Sequence, residues 1–422
     1  MMAALHRVAF VLLTAIALQI SSIPPQPALA QGAVPVFSPT GFDAEFYGEK
    51  LGYPAGLPLT RQDTMVGAYS RYDTLFPTHR AAAAAHPFEL KRAAQEISAN
   101  YTYWGVTYSI PGYLARNPTT GLLIARGDTI LFEHYQYGRS DSDRFMSQSM
   151  AKTVVSMLVG IAVAEGAIRS IDDPAQTYVP ELANTELGRT PIRALLHMAS
   201  GMAFEEDYSG KDDIAKLGRA LFARTGSGPI AAVSQFNTRI APPDTHWSYA
   251  SLNTEILGLV LARATKTSLT QYLQTRIWQP MGAEADATWT IDNSGQEIAY
   301  CCFNATLRDY ARFGLLLAND GALNGSQIIP RQWVLEATAP VAQGSFLALD
   351  GSEHPPGYGY QIWLMPGPRR SFYLDGYAGQ RIFIDPASKL VLVHTAVRRS
   401  GDPRGVTLVA LWESLLAQVG QN

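Results

Sequence analysis

The sequence predicts a mixed α/β (α+β) fold: an antiparallel sheet flanked by terminal helices, with a mostly helical region inserted at about 150–320. Two predicted hairpins support the sheet. Residues 122–126 and 129–135 are apolar, strand-like runs joined by a Gly-Asp turn, and a second pair of such runs occupies 380–385 and 390–395. Strands near both ends of the chain, with helical patterns between them, indicate one sheet built from distant segments.

Helical patterns account for the inserted region and for the end of the chain. Apolar residues recur at helical spacing in 191–198, 255–262 and 307–318, and an amphipathic pattern covers 408–419. We therefore divide the chain into residues 1–30, an N-terminal extension at 31–100 that packs on the main domain, and a main domain at 101–422.

The first thirty residues have the pattern of a secretory signal peptide. His6 and Arg7 precede an apolar run at 8–20, and Ala28-Leu29-Ala30 supplies small residues for cleavage before Gln31. The run is short for a membrane-spanning helix, which favours cleavage over an uncleaved anchor. The sequence therefore predicts a periplasmic or secreted protein with no stable membrane anchor after cleavage.

The amino-acid composition and the net charge limit the kinds of molecule that this protein is expected to bind. The 422 residues are 47% hydrophobic and 16% charged, with a formal net charge of −3. These values are typical of an ordered globular protein and give no reason to expect nucleic acid binding.

The eight histidines show no His-x-His or His-Glu-x-x-His grouping, so we expect no metal site. We also expect no cofactor. Cys301 and Cys302 are adjacent, and because neighbouring cysteines rarely bridge we interpret them as small buried residues.

The candidate catalytic centre begins with Ser149 and Lys152, which stand three residues apart at the head of the apolar run 154–164. Residues at this spacing share one face of a helix, so the amine can reach the hydroxyl. Burial lowers the pKa of a lysine toward the range in which it accepts a proton. A hydroxyl beside such a base can carry out covalent acyl transfer, whereas the alternative is an unreactive pair on a solvated helix face.

Two further segments carry residues that could take part in the same reaction. Tyr249 could pass a proton to a leaving group and Ser251 could extend the hydrogen-bond chain, although a Tyr-x-Ser triplet is more often a helix cap. Residues 376–380 combine two glycines with Tyr377 before a strand, which permits close backbone approach to a ligand. A backbone N–H there could join that of Ser149 in stabilising an oxyanion, although such a segment can also be an ordinary turn.

These motifs, in this order over roughly residues 100–400, resemble the serine β-lactamase and penicillin-binding-protein superfamily. Residues 249–254 and 376–380 are similar to its class C-like branch, which holds esterases and the 6-aminohexanoate-dimer (nylon oligomer) hydrolases. The resemblance implies that Ser149 is the nucleophile and Lys152 its general base. It implies that Tyr249 protonates the leaving group and then helps to activate water, and that the N–H groups of Ser149 and Tyr377 bind the oxyanion. Gly379 and Ser251 are expected to contribute to substrate binding.

The departures from the superfamily pattern affect the expected substrate. Ser251 stands where β-lactamases and D,D-peptidases carry Asn, and the Lys-Thr-Gly of their final strand is missing. An acidic run ending in Asp207 could favour an amine-bearing substrate, or it could be a solvated loop. We therefore expect a hydrolase of small-molecule esters or amides. The alternatives are β-lactamase or D,D-peptidase activity and a non-catalytic cell-envelope binding protein of the same fold.

Overall fold

The computed structural model describes residues 36–223, 228–339, 357–399, 401–402 and 406–419, so the predicted signal peptide lies outside the described residues. Its α-helices are α1 Gln62–Ser70, α2 Ile110–Leu114, α3 Ala151–Ala164, α4 Ile192–Leu196, α5 Asp213–Phe222, α6 Gly228–Ser234, α7 Ser251–Thr265, α8 Leu269–Leu273, α9 Leu307–Ala318, α10 Arg331–Ala337 and α11 Thr407–Val419. Its strands are β1 Thr78–Ala81, β2 Lys91–Arg92, β3 Asn100–Tyr103, β4 Val106–Ser109, β5 Thr119–Arg126, β6 Thr129–Tyr135, β7 Phe145–Met146, β8 Ala287–Thr290, β9 Phe303–Ala305, β10 Ala322–Leu323, β11 Ser326–Gln327, β12 Trp363–Leu364, β13 Phe372–Gly376, β14 Gln380–Asp385 and β15 Leu390–Ala396. Among the described residues, no helix is both long and apolar enough to span a bilayer.

The main sheet has the strand order β12-β13-β14-β15-β5-β6-β2 within the described part of the chain. Neighbouring strands are antiparallel except for β2, which runs parallel to β6. Both predicted hairpins are present, since β5 pairs with β6 and β14 with β15. Strand β15 also pairs with β5, which joins the two ends of the chain in one sheet. The predicted mixed fold with an antiparallel sheet is confirmed.

Helices cover both faces of this sheet. On one face α9 packs closely, because Gly314 has no side chain to separate the helix from Ile382 and Val391. On the other face Trp412 of α11 stacks on Phe383, with ring centroids 5.4 Å apart. The predicted C-terminal helix is therefore present. The helix that precedes β5 is the five-residue α2.

A second sheet, in the order β1-β8-β9-β7, lies in and beside the region that the sequence indicated as mostly helical. Strands β8 and β9 are short and every residue in them is buried. A strand buried on both faces has no alternation of polar and apolar residues, so its periodicity cannot distinguish it from a helix. The segment before residue 100 contributes β1 to this sheet and β2 to the main one.

Helix α3, which carries Lys152, packs against α7 and α10 in the core. Gly160 lies where the Trp333 ring meets α3, and a Cβ atom at residue 160 would overlap that ring. The indole N–H of Trp333 also donates a hydrogen bond to the Ser156 carbonyl, at 3.1 Å. The missing side chain at 160 therefore allows α10 to close over α3.

We expect Gly160→Ala to lower the free energy of unfolding by about 1–3 kcal/mol, because overpacking a tight contact forces its neighbours apart. Chemical denaturation measures the change. Gly218→Ala in α5 is the matched control, since its Cβ would have its nearest neighbour, the Tyr300 hydroxyl, at 3.8 Å. The control should be neutral or slightly stabilising, because alanine favours helix. Equal effects of the two substitutions would contradict the packing argument.

Candidate active site

Ser149 lies in a short 3-10 turn, Gln148–Met150, that leads directly into α3. Gln148 has a left-handed backbone with φ of 47°, an uncommon conformation for a residue with a side chain. The turn directs the half-buried Ser149 into a surface cleft. Backbone strain of this kind is often found at functional sites.

The Lys152 amine lies 2.8 Å from the Ser149 hydroxyl oxygen and donates to the Tyr300 carbonyl at 3.2 Å. Lys152 is only 1% exposed, and its amine faces the rings of Tyr249 and Tyr300 at 4.9 and 5.6 Å. Burial lowers the pKa of Lys152 to about 8, and the nearby negative charge of Glu206 opposes that shift. With a pKa near 8, roughly a tenth of the amine is unprotonated at pH 7, far more than for a solvated lysine.

Tyr249 lies just before α7, partly buried, and its side chain lines the cleft together with Ser149. Burial, assisted by the neighbouring Tyr208 and Tyr358, raises the pKa of Tyr249 well above 10. The Trp363 ring stacks on the Tyr249 ring with centroids 5.7 Å apart. The tyrosine therefore stays protonated and is suited to donating a proton.

The acidic side chain of this loop that points toward the site is that of Glu206, whereas the sequence suggested Asp207. Its carboxylate accepts hydrogen bonds from the Ser251 N–H at 2.6 Å, the Ser251 hydroxyl at 2.8 Å and the Tyr208 hydroxyl at 2.8 Å. Asp207 is exposed and accepts instead from the Ser209 N–H. The structure thus brings Ser251 to a carboxylate beside Tyr249 but leaves Asp207 outside. The acidic run pointed to this loop, but the loop conformation decides which of its carboxylates faces inward.

The segment 376–380 is a hairpin turn between β13 and β14, with Gly376 paired to Gln380. The segment therefore connects two strands, whereas the sequence indicated only that a strand follows it. A Cβ at Gly376 would overlap the Ser147 carbonyl, so the glycine lets the turn approach the chain beside Ser149. Tyr377 lines the cleft, whereas Gly379 lies behind it against the His394 ring.

The three central carbonyls of this turn, at residues 377–379, are each held by a hydrogen bond. The donors are the Gln380 side-chain amide to Tyr377 at 3.2 Å, the Arg398 backbone N–H to Ala378 at 3.0 Å and the His394 Nδ1 to Gly379 at 2.7 Å. Burial lowers the pKa of His394 to about 3, so this ring is neutral and its Nδ1 carries the proton. The turn is therefore a fixed element of the cleft wall.

The cleft has a volume of about 350 Å³. Its lining combines the candidate catalytic groups with aromatic rings and charges of both signs: Ser149, Tyr208, Tyr249, Trp363, Asp375, Gly376, Tyr377, Ala378, Arg398, Arg399, Gly401 and Asp402. Within the described residues, no group of three or more His, Cys, Asp or Glu side chains is placed to hold a metal ion.

Cys301 and Cys302 form a disulfide directly after Tyr300, whose carbonyl contacts Lys152. The expectation that these residues are buried is confirmed, and the two sulfur atoms are bonded although such a bridge between neighbouring cysteines is rare. Cys302 has a left-handed backbone with φ of 66°, so the two side chains do not point to opposite sides as they would in an extended strand. The local turn that allows the bridge has no counterpart in the sequence pattern.

Comparison with known proteins finds a matching family and a curated relative. A model of the beta-lactamase family matches residues 96–414. The 6-aminohexanoate-dimer hydrolase of Paenarthrobacter ureafaciens is 30% identical over 287 residues, which cover 65% of this chain and 71% of that protein.

Solved structures show the same fold. A Bacillus anthracis protein proposed to be a 6-aminohexanoate-dimer hydrolase superposes with a TM-score of 0.75 at 22% identity, over 86% of this chain and 96% of that one. EstCE1, a hydrolase with promiscuous acyltransferase activity, superposes with a TM-score of 0.57 at 13% identity, over 70% of this chain and 93% of its own.

Proposed function

Because this chain belongs to the beta-lactamase family and is a hydrolase of that fold, we propose that it is an exported serine hydrolase that cleaves an ester or a linear amide through an acyl-enzyme on Ser149. The observation that carries the proposal is the buried Lys152 amine, 2.8 Å from the Ser149 hydroxyl oxygen. A base with a lowered pKa in contact with a hydroxyl is the arrangement that activates a nucleophile.

In the acylation step, neutral Lys152 takes the proton of Ser149 while the serine oxygen bonds to the substrate carbonyl carbon. The N–H groups of Ser149 and Tyr377 stabilise the negative charge that develops on the carbonyl oxygen. Tyr249 gives its proton to the leaving nitrogen or oxygen as the scissile bond breaks. The Lys152 ammonium then returns a proton to Tyr249, so the proton of Ser149 has in effect moved to the leaving group.

In the deacylation step, water replaces the leaving group. Its proton passes through the Tyr249 hydroxyl to Lys152 while its oxygen bonds to the acyl carbon. The bond between that carbon and the Ser149 oxygen then breaks, and Lys152 gives the proton back to the serine. The product is a carboxylic acid, and both Lys152 and Tyr249 return to their starting protonation states.

The turn at 376–380 favours esters and linear amides over β-lactams as substrates. β-Lactam-hydrolysing members of the superfamily usually carry Lys-Thr-Gly on the final strand of the active site, and no such triplet occurs in this chain. The relative at 30% identity is named for hydrolysis of a linear amide dimer, which makes such amides the first compounds to assay. A direct comparison of p-nitrophenyl butyrate, a linear aminohexanoate dimer, nitrocefin and a D-Ala-D-Ala peptide would rank the substrate classes.

Covalent labelling tests the acyl-enzyme. We expect a fluorophosphonate probe to add one adduct to the mature protein, on the peptide that contains Ser149, and we expect Ser149→Ala to abolish it. Ser156→Ala is the matched control, since this buried serine lies on the same helix and should label like the wild type. Absence of an adduct on Ser149 would overturn the proposal and favour a non-catalytic binding protein.

N-terminal sequencing of protein recovered from the periplasm or medium tests export, with Gln31 as the expected first residue.

A further inference from the structure

The segment 297–302 presents the backbone carbonyl of Tyr300 to the Lys152 amine, at 3.2 Å. In the described part of the chain, this carbonyl and the Ser149 hydroxyl are the two hydrogen-bond partners of that amine. A lysine carries its amine on a flexible four-carbon stem, so the spacing along the helix does not by itself fix where the amine points. The orientation of the amine therefore depends on where the Tyr300 carbonyl is held.

Hydrogen bonds from a tryptophan hold the segment on either side of Tyr300. The indole N–H of Trp289 is shared between the carbonyls of Ile298 and Cys301, each at 2.9 Å. Trp289 lies in the buried strand β8, so these bonds tie the segment to the second sheet. Neither bond involves the N–H of Ala299, which needs a partner of its own because Ala299 is fully buried.

Glu255 supplies that partner from α7. Its carboxyl is 1% exposed and accepts a hydrogen bond from the Ala299 N–H at 2.9 Å. Helix α7 comes this close because Gly258, about one turn further along, has no side chain, and a Cβ atom there would overlap that of Ala299. The helix that begins two residues after Tyr249 therefore also holds the segment that contacts Lys152.

A carboxyl at this buried position is costly. Burial raises the pKa of Glu255 to about 8, and the negative charges of Asp292 and Glu297 act in the same direction. The backbone at Ala299 and Tyr300 opposes the rise. The group is therefore mostly uncharged at neutral pH, and its contribution comes from an oxygen that accepts a hydrogen bond. A hydrocarbon side chain would avoid the cost of burial, so the carboxyl is best explained by the backbone that it holds.

We propose that Glu255 is a positioning residue for the candidate general base, Lys152. The carboxyl fixes the N–H of Ala299, and the carbonyl of the next residue, Tyr300, then orients the amine toward Ser149. The inference rests on the proposed acyl-enzyme function, because the orientation of Lys152 matters only if Lys152 is the base. A displacement of about 1 Å in a catalytic group can slow a reaction about a hundredfold, so a contact two steps away from the nucleophile is expected to affect the rate.

Glu255→Met tests the inference, because methionine is similar in length and unbranched but is only a weak acceptor. We expect the acylation rate at saturating p-nitrophenyl butyrate, measured from the stopped-flow burst, to fall about tenfold or more. The ester concentration that gives half of this rate should change less than about twofold, because the contact does not involve the substrate. The inflection in the pH dependence of acylation should move from near 8 to a lower pH, because the Lys152 ammonium loses an acceptor that stabilises it.

Glu255→Gln is the conservative variant, because it keeps an acceptor oxygen in the same place. Acylation in this variant should stay within about threefold of the wild type, since the hydrogen bond that matters is retained. Its inflection should remain near pH 8. Glutamine does not titrate, so an inflection that remains in this variant does not come from residue 255.

Two further variants separate positioning from a loss of stability. Gly160→Ala is the control, because it lies on the same helix as Lys152 and is expected to lower the free energy of unfolding by its overlap with Trp333. It should leave the acylation rate and the inflection close to those of the wild type. Glu255→Asp draws the acceptor back by one methylene, so it should show a smaller change in the same direction as Glu255→Met, and it serves if the methionine variant does not fold.

An acylation rate and an inflection that are the same in the wild type and in Glu255→Met, or in Glu255→Asp if only that variant folds, would overturn the inference while the serine hydrolase function stands. A loss in Glu255→Gln as large as in Glu255→Met, or an equal change in Gly160→Ala, would also overturn it. Absence of a burst in the wild type, with no adduct on Ser149, would overturn the proposed function and this inference together.

Discussion

Replacement of Lys152 by alanine is expected to slow acylation of Ser149 at least about a hundredfold, the usual range for loss of a general base. The amine is the group that lies 2.8 Å from the hydroxyl, and its burial keeps it available as a base. Stopped-flow measurement of the ester burst, or the rate of fluorophosphonate labelling, reports the acylation step directly. Lys152→Arg serves as the second variant, because it keeps the positive charge but cannot act as a base. Full activity in either variant would refute the role assigned to the lysine.

The same assignment predicts how acylation depends on pH. Burial lowers the pKa of Lys152 from 10.5 to about 8, so the free amine increases as the pH rises through that value. The acylation rate of the wild type should therefore rise to a plateau with an inflection near pH 8. The residual rate of Lys152→Ala should lack that inflection. An inflection of equal size in both proteins would show that another group titrates.

Replacement of Tyr249 by phenylalanine is expected to slow amide hydrolysis about a hundredfold or more, and ester hydrolysis much less. An amine is a poor leaving group until it is protonated, whereas a phenolate or nitrophenolate can leave without a proton. The raised pKa of Tyr249 and its position in the same cleft as Ser149 make its phenol the available donor. The measurement is kcat/KM for an amide and an ester that share one acyl group.

Tyr358→Phe is the matched control for Tyr249, because the ring of Tyr358 packs edge-on against that of Tyr249 with centroids 6.3 Å apart. The control keeps the aromatic contact and should affect both substrates only slightly. Equal losses on the amide and the ester in Tyr249→Phe would mean that the tyrosine has a different role. A loss in Tyr358→Phe as large as in Tyr249→Phe would point to packing instead of proton transfer.

Local patterns in the sequence were sufficient for the hairpins and for the contact between Ser149 and Lys152. A turn of two residues determines the pairing of β5 with β6, and a separation of three residues places two side chains on the same helical face. Tyr249 and Tyr377 could be associated with this pair only through the resemblance to a known superfamily. Nothing in their own surroundings in the sequence indicates that they share a cleft with Ser149.

The features that sequence reasoning missed depend on how distant segments meet. Glu206, and not Asp207, reaches Ser251 because of the path of a surface loop. The Cys301–Cys302 bridge depends on a left-handed turn that non-glycine residues adopt only when their surroundings stabilise it. Strand β13 was not recognised, so the turn at 376–380 was expected to begin a strand, whereas it connects two.

The Ser-x-x-Lys motif, which spans the 3-10 turn and the first residues of α3, has a consequence for how this enzyme could diversify. The distance between Ser149 and Lys152 is set within one stretch of backbone, so substitutions in distant loops leave that distance largely intact. Trp363 and Arg398 reach the cleft from other parts of the chain. Changes in those segments can therefore alter the cleft one side at a time, while the contact between Ser149 and Lys152 is retained within one short stretch of chain.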